Sequence, residues 1–364
     1  MRTPAFLRFL IAFLIVPLVL TGVPAGTAAA AVPDRWGFAY LDDPTPPAGY
    51  VPDTSRQWGS WKSAFPGSWA TVDQLGVGIY RVRLPHIGGP GGVAHVMAVN
   101  PDPTWCQLMR WGHSGADELV YVRCHKPGGG PADSRFTVMY SASSGAPAPP
   151  AGDYGYVFAG PAAAIHAQYN SSGAGNGVGK IGPGLWQVKL PGLGLAAHAG
   201  NLQATAVESQ QGARCKVARW QPAAAGQLAT VRCVDAASNP LDVRWTLSYH
   251  LKRSVYGAVS PPKAFAYLWN TLGFAPPDTS FNSQGGVNTV VSAGLGMHLV
   301  TFPKVGMHAD HVQVTAYGAG PEYCGMNYPW LNHGGNAYLR NVICFDAAGA
   351  RTDTRSLVTY SSRH

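Results

Sequence analysis

Three kinds of side chain in this sequence could do chemistry: six cysteines, twelve histidines and a large set of aromatic rings. The cysteines are Cys106, Cys124, Cys215, Cys233, Cys324 and Cys344. Thiols serve as nucleophiles, metal ligands or disulfide partners. No Cys-x-x-Cys pair is present, which argues against a zinc site. Their spacing instead exposes a repeat. Cys106, Cys215 and Cys324 recur every 109 residues; Cys233 follows Cys124 by 109, and Cys344 follows Cys233 by 111. Six cysteines allow about fifteen pairings. The repeat makes Cys106–Cys124, Cys215–Cys233 and Cys324–Cys344 the simplest, each bridging the open end of one hairpin. Each such loop would contribute roughly 3 kcal/mol in an oxidising compartment.

The histidines are uneven. His308, Asp310 and His311 stand together in the last third and could offer two imidazoles and a carboxylate to a metal. His298 occupies a position where the other copies carry Tyr80 and Trp186. The competing reading is that these are core and loop histidines, and no metal or other cofactor is expected. Aromatics give the better binding clue. Trp58, Trp61 and Trp69 lie in a Gly/Ser-rich stretch, and Tyr323, Tyr328 and Trp330 lie in the longest of the three hairpins. Flat rings beside Asn and Gln suit sugars; equally, such rings fill the cores of small sandwiches. A Gly-x-Ser-x-Gly elbow, a phosphate loop and a zincin helix are all missing from the sequence.

The elements that must position these residues repeat too. Asp133-Ser134-Arg135, Asp242-Val243-Arg244 and Asp353-Thr354-Arg355 each follow a second cysteine by nine residues. Residues i and i+2 of a strand point the same way, so each Asp and Arg could pair, or could fix a turn before the last strand. Repetition in all three copies argues for structure over catalysis. Upstream, Gly76-x-Gly78 precedes Tyr80, Val82 and Leu84; Gly182-x-Gly184 precedes Trp186, Val188 and Leu190; Gly294-x-Gly296 precedes His298, Val300 and Phe302. This period of two predicts half-buried strands. Pro85, Pro191 and Pro303 end them. The expected fold is all-β: three tandem sandwich or open-barrel modules, each with one hairpin disulfide. A unit of about 100 residues can bury its own core, so three independent beads are expected.

The organisation read from composition is a signal peptide over 1–31, modules over 32–141, 154–250 and 264–364, and linkers over 142–153 and 251–263. Arg2 and Arg8 flank an apolar run, and Ala29-Ala30-Ala31 offers a cleavage site. Cleavage would lower the net charge from +8 to +6. Basic residues do not cluster, which argues against nucleic acid as a partner. No later stretch is apolar enough to span a bilayer, so no membrane insertion is expected after cleavage.

The run from Gly-x-Gly through Val312-Gln-Val-Thr-Ala-Tyr-Gly318 to Cys…Val-x-Cys…Asp-x-Arg resembles a group of uncharacterised secreted actinobacterial repeat proteins. The resemblance covers nearly all of the mature chain. It implies export and β-rich modules, and it carries over no active site. Copies two (Leu202-Gln-Ala204) and one (Val93-Ala-His95-Val96) depart from the Val-Gln-Val form. The functional expectation is a secreted, non-catalytic protein with an extracellular binding or surface-structural role, its partner a polysaccharide or cell-surface component. The alternatives are a carbohydrate-binding protein specifically, a hydrolase using the copy-three histidines, or an inhibitor or toxin displaying a rigid loop.

Overall fold

A computed structural model describes residues 34–142, 152–195, 198–258, 264–272 and 280–363. The expected signal peptide, 1–31, lies outside them, as does most of the first expected linker. The described chain is all-β. Module one contributes β1 (Arg35–Leu41), β2 (Gln57–Gly59), β3 (Thr71–Gly76), β4 (Ile79–Leu84), β5 (Val93–Val99), β6 (Trp105–Ser114), β7 (Asp117–His125) and β8 (Arg135–Ala142). Module two repeats the order with β9 (Asp153–Ala159), β10 (Ile165–Asn170), β11 (Gly177–Gly182), β12 (Leu185–Pro191), β13 (Asn201–Val207), β14 (Ala213–Ala223), β15 (Gly226–Asp235) and β16 (Arg244–Leu251). Module three has β17 (Phe265–Asn270), β18 (Ser280–Asn282), β19 (Thr289–Ser292), β20 (Met297–Phe302), β21 (Asp310–Tyr317), β22 (Tyr323–Met326), β23 (Leu331–His333), β24 (Asn336–Phe345) and β25 (Arg355–Ser362). The additional β23 pairs with β24 in the longer hairpin.

The repeated motifs meet at one point in each module. Gly78 has φ +67°, and a Cβ there would sit 2.7 Å from the Cys124 carbonyl oxygen; Gly184 and Gly296 stand alike against Cys233 and Cys344. Only glycine tolerates both the left-handed backbone and that approach. The amide of each of these glycines donates to the aspartate of the Asp-x-Arg motif, at 2.7 Å for Asp133 and 2.8 Å for Asp242 and Asp353. The aspartate therefore ties down the turn before the alternating strand. The alternation holds: Tyr80, Val82 and Leu84 are all buried on one side of β4. Each disulfide joins directly opposed residues of one hairpin, Cys106–Cys124, Cys215–Cys233 and Cys324–Cys344.

The bead expectation fails. Each module splits its strands between two sheets, and each sheet is shared by two modules. The three orders are β19-β20-β24-β22-β5-β8-β1-β2, β10-β9-β16-β13-β6-β7-β4-β3 and β11-β12-β15-β14-β21-β25-β17-β18. The junctions are parallel and occupy equivalent registers: Met326 against Val99, Val207 against Leu108, Val217 against Tyr317. Three identical head-to-tail contacts that close on themselves define a pseudo-threefold ring. The physical reason is burial on both faces. Strands β5, β13 and β21 are buried along their whole length, one face serving their own sandwich and the other serving the axis. A single module would leave that second face in water. The described part of the second expected linker is likewise core: Val255 and Tyr256 are fully buried. The Tyr256 ring stacks on Trp36 and Phe38 at 4.7 and 5.3 Å.

Candidate binding site on the pseudo-threefold axis

The axis has a polar interior. His95 Nδ1 lies 3.0 Å from Thr205 Oγ1, and its Nε2 lies 2.9 Å from Ser248 Oγ. One module on, Thr315 Oγ1 donates to Gln203 Oε1 at 2.8 Å, the equivalent contact with Gln in place of His. His250 Nε2 sits 3.2 Å from Thr359 Oγ1, and the Gln313 amide donates to His311 Nε2 at 3.2 Å. Burial pushes His95, His250 and His311 down to about 3, so all three rings are neutral. Apart from the Gln313–His311 bond, which lies within β21, these contacts join one module to the next.

Toward the disulfide end the axis opens into a pocket with a cavity volume of about 60 Å³. Its lining comes in equivalent threes. Met97, Thr205 and Thr315 form one set; Ala98, Ala206 and Ala316 form the next. At the mouth stand the residues preceding the first cysteines, Trp105, Arg214 and Tyr323. Here the copies differ completely. The Arg214 guanidinium lies between the two rings, 4.8 Å from the Trp105 centroid and 4.5 Å from that of Tyr323. Its Nη2 donates to Ser238 Oγ at 2.9 Å. Lys216 forms an ion pair with Glu322 at 2.9 Å. Burial lowers the Lys216 ammonium; burial also raises the Glu322 carboxyl, but the Lys216 contact outweighs it and holds Glu322 below its ordinary range. Arg232 donates to the Ala319 carbonyl across the module boundary.

The sequence-derived candidates are scattered. Trp61 and Trp330 are buried, and Tyr323 is buried with its hydroxyl donating to the Pro103 carbonyl at 2.9 Å. Trp330 lies under the Arg56 guanidinium at 4.6 Å. Trp58 and Trp69 flank Lys62, whose Nζ is 5.3 and 3.0 Å from their centroids, and Arg363 stands 4.3 Å from the Trp58 ring. Burial, then the charge of Arg363, lowers Lys62 to about 8. Of the six rings only Tyr328 is well exposed.

The copy-three metal candidate is assembled only in part: His308 Nδ1 lies 3.9 Å from Asp310 Oδ1, but His311 does not join them. Asp310 and His311 are neighbours on a strand, so their side chains leave opposite faces. Asp310 accepts from Tyr360 and Asn332 at 2.9 and 2.6 Å, with Arg56 at 3.7 Å, while His311 lies between the rings of Phe38 and Tyr256. Among the described residues no group of three His, Cys, Asp or Glu could hold a metal ion. His298 is buried with Asp353 at 3.8 Å, and burial lowers its pKa.

Sequence reasoning missed the axial pocket, because its walls come from three places 109 residues apart. One signal was available: equivalent positions beside an invariant cysteine carry Trp, Arg and Tyr. Among the described residues no helix is long and apolar enough to cross a membrane. No protein-family model, curated protein or solved structure matches the chain significantly.

Proposed function

We propose that this chain is a secreted, non-catalytic binding protein whose principal site is the axial pocket. The observation that carries the reading is the loss of symmetry at the mouth. The three modules keep the same turn, the same disulfide and the same junction, yet place Trp105, Arg214 and Tyr323 at equivalent positions around one opening. A purely structural axis has no need of three different residues there; a pocket shaped for an asymmetric ligand does. Three disulfides and the apolar run at the N-terminus support export. The test is a thermal-shift screen of the mature, oxidised chain against small ions and soluble sugars, alongside retention on insoluble polysaccharides. Binding in neither format removes the proposal. N-terminal sequencing of protein from culture medium should begin at Val32.

A second reading, carbohydrate recognition, is favoured by the tip of the β6–β7 hairpin. There Trp111, His113, Leu119 and Tyr121 frame a recess of about 190 Å³, with Arg110 4.4 Å from the Tyr121 ring. Loss of polysaccharide retention in Trp111→Ala would support it; retention unchanged in that variant would end it.

A further inference from the structure

We infer that the axial pocket takes a small organic anion, its carboxylate held at the mouth by Arg214 and Arg232 and its apolar body lying in the throat beside Ala98, Ala206 and Ala316. This deepens the binding-protein reading and rests on it. The mouth carries three cations, Arg214, Lys216 and Arg232, against one lining carboxylate, Glu322. That carboxylate is already engaged by Lys216. Among the described residues Arg214 and Arg232 have no ion-pair partner. Arg214 is only 7% exposed, and its buried Nε–H makes no hydrogen bond. The buried indole N–H of Trp105, on the same rim, makes none either. A desolvated guanidinium with no carboxylate in ion-pair contact is costly; the more distant charge of Asp235 and two aromatic faces offset only part of that cost. Its planar fork matches a carboxylate.

Depth selects the rest of the ligand. The floor hydroxyls are occupied: Thr205 by His95, and Thr315 by Gln203. Met97 stands in the throat beside the strand segments of Ala98, Ala206 and Ala316, where polar and apolar atoms both face the opening. With both threonine hydroxyls engaged, an alkyl or aryl body would lie against Met97. The ligand is therefore amphipathic, with a single charged head.

The test is isothermal titration of the mature, oxidised chain at fixed ionic strength with hexanoate, acetate, hexan-1-ol and hexylammonium. Hexanoate should bind saturably. Acetate lacks the body and hexan-1-ol lacks the charge, so each should bind at least about tenfold more weakly. Hexylammonium should not bind. Arg232→Gln should weaken hexanoate about tenfold or more while the chain stays folded, with only a small fall in the thermal transition from the lost Ala319 bond; Arg214→Gln should weaken it further. Hexan-1-ol or acetate binding as tightly as hexanoate overturns the inference, and so does wild-type affinity in a folded Arg232→Gln variant. If hexanoate is silent while a polysaccharide or another screened ion binds, the anion assignment falls and the binding-protein reading survives. Silence in every format removes both.

Discussion

Replacing His95 with glutamine should flatten part of the acid sensitivity of this fold. His95 is fully buried, facing the hydroxyls of Thr205, Ser248 and, at 3.5 Å, Thr246, and burial lowers it from 6.5 to about 3. The folded ring is neutral; the unfolded ring takes a proton near its ordinary pKa. The stability it contributes is complete above about pH 6.5 and is lost as pH falls toward the folded value, by about 1.4 kcal/mol per pH unit. At about pH 5 the loss is about 2 kcal/mol. His250 and His311 share that sign. Glu118 opposes it: burial raises it to about 7, so its contribution is complete below 4.5 and is lost as pH rises through 7. Subtracting parent from variant removes these other groups. Glutamine is the residue that the axis already uses at the equivalent positions, Gln203 and Gln313, and Gln203 makes the matching bond to Thr315. His95→Gln should therefore match the parent within about 1 kcal/mol near neutral pH and exceed it by about 2 kcal/mol near pH 5. Urea unfolding with disulfides intact, followed by tryptophan fluorescence across that range, measures the difference. A difference that stays flat with pH would refute the neutral-axis argument.

Deleting module three after Leu251 should leave no folded two-module remainder, because β5 and β14 would each lose the neighbour that completes their sheet; a dispersed amide NMR spectrum from that fragment would contradict the ring. Asp133→Ala should cost about 2 kcal/mol, since the carboxylate accepts from Gly78 and Gln74, with the loss read as a lower urea midpoint. Removing one staple, in Cys215→Ala/Cys233→Ala, should cost about 3 kcal/mol by the same measurement. Trp330→Ala should destabilise by about 3–5 kcal/mol while leaving any polysaccharide retention unchanged in whatever fraction folds, because its ring is buried under Arg56.

Local features were readable from sequence, and closure was not. The alternation over Tyr80, Val82 and Leu84, the three hairpin staples and the repeat itself follow from residue spacing, and all concern contacts within one module. The ring depends on Val93–Val99, Asn201–Val207 and Asp310–Tyr317, which are buried on both faces. A run such as VAHVMAV shows that a strand is buried without showing what covers its far side. Polar residues on those runs looked like interruptions; His95, Gln203 and Thr315 are the inter-module bonds. Ring exposure was equally hidden. Trp61 and Trp69 are close in sequence and similar in surroundings, yet one is buried and the other half-covered by a lysine.

The junction between the last module and the first has a consequence for biogenesis. Tyr323 reaches back to Pro103 across a sequence separation of 220, and Met326 lies against Val99. Under the proposed export, a chain threaded outward from its N-terminus presents the β5 edge to the medium long before β22 emerges to cover it. Until then that edge is open to any passing strand, including the same edge of a sister molecule. Yield from secretion should therefore depend on how quickly the final third arrives, and interruptions near the C-terminus should be punished by clumping outside the cell more than by loss of any single contact.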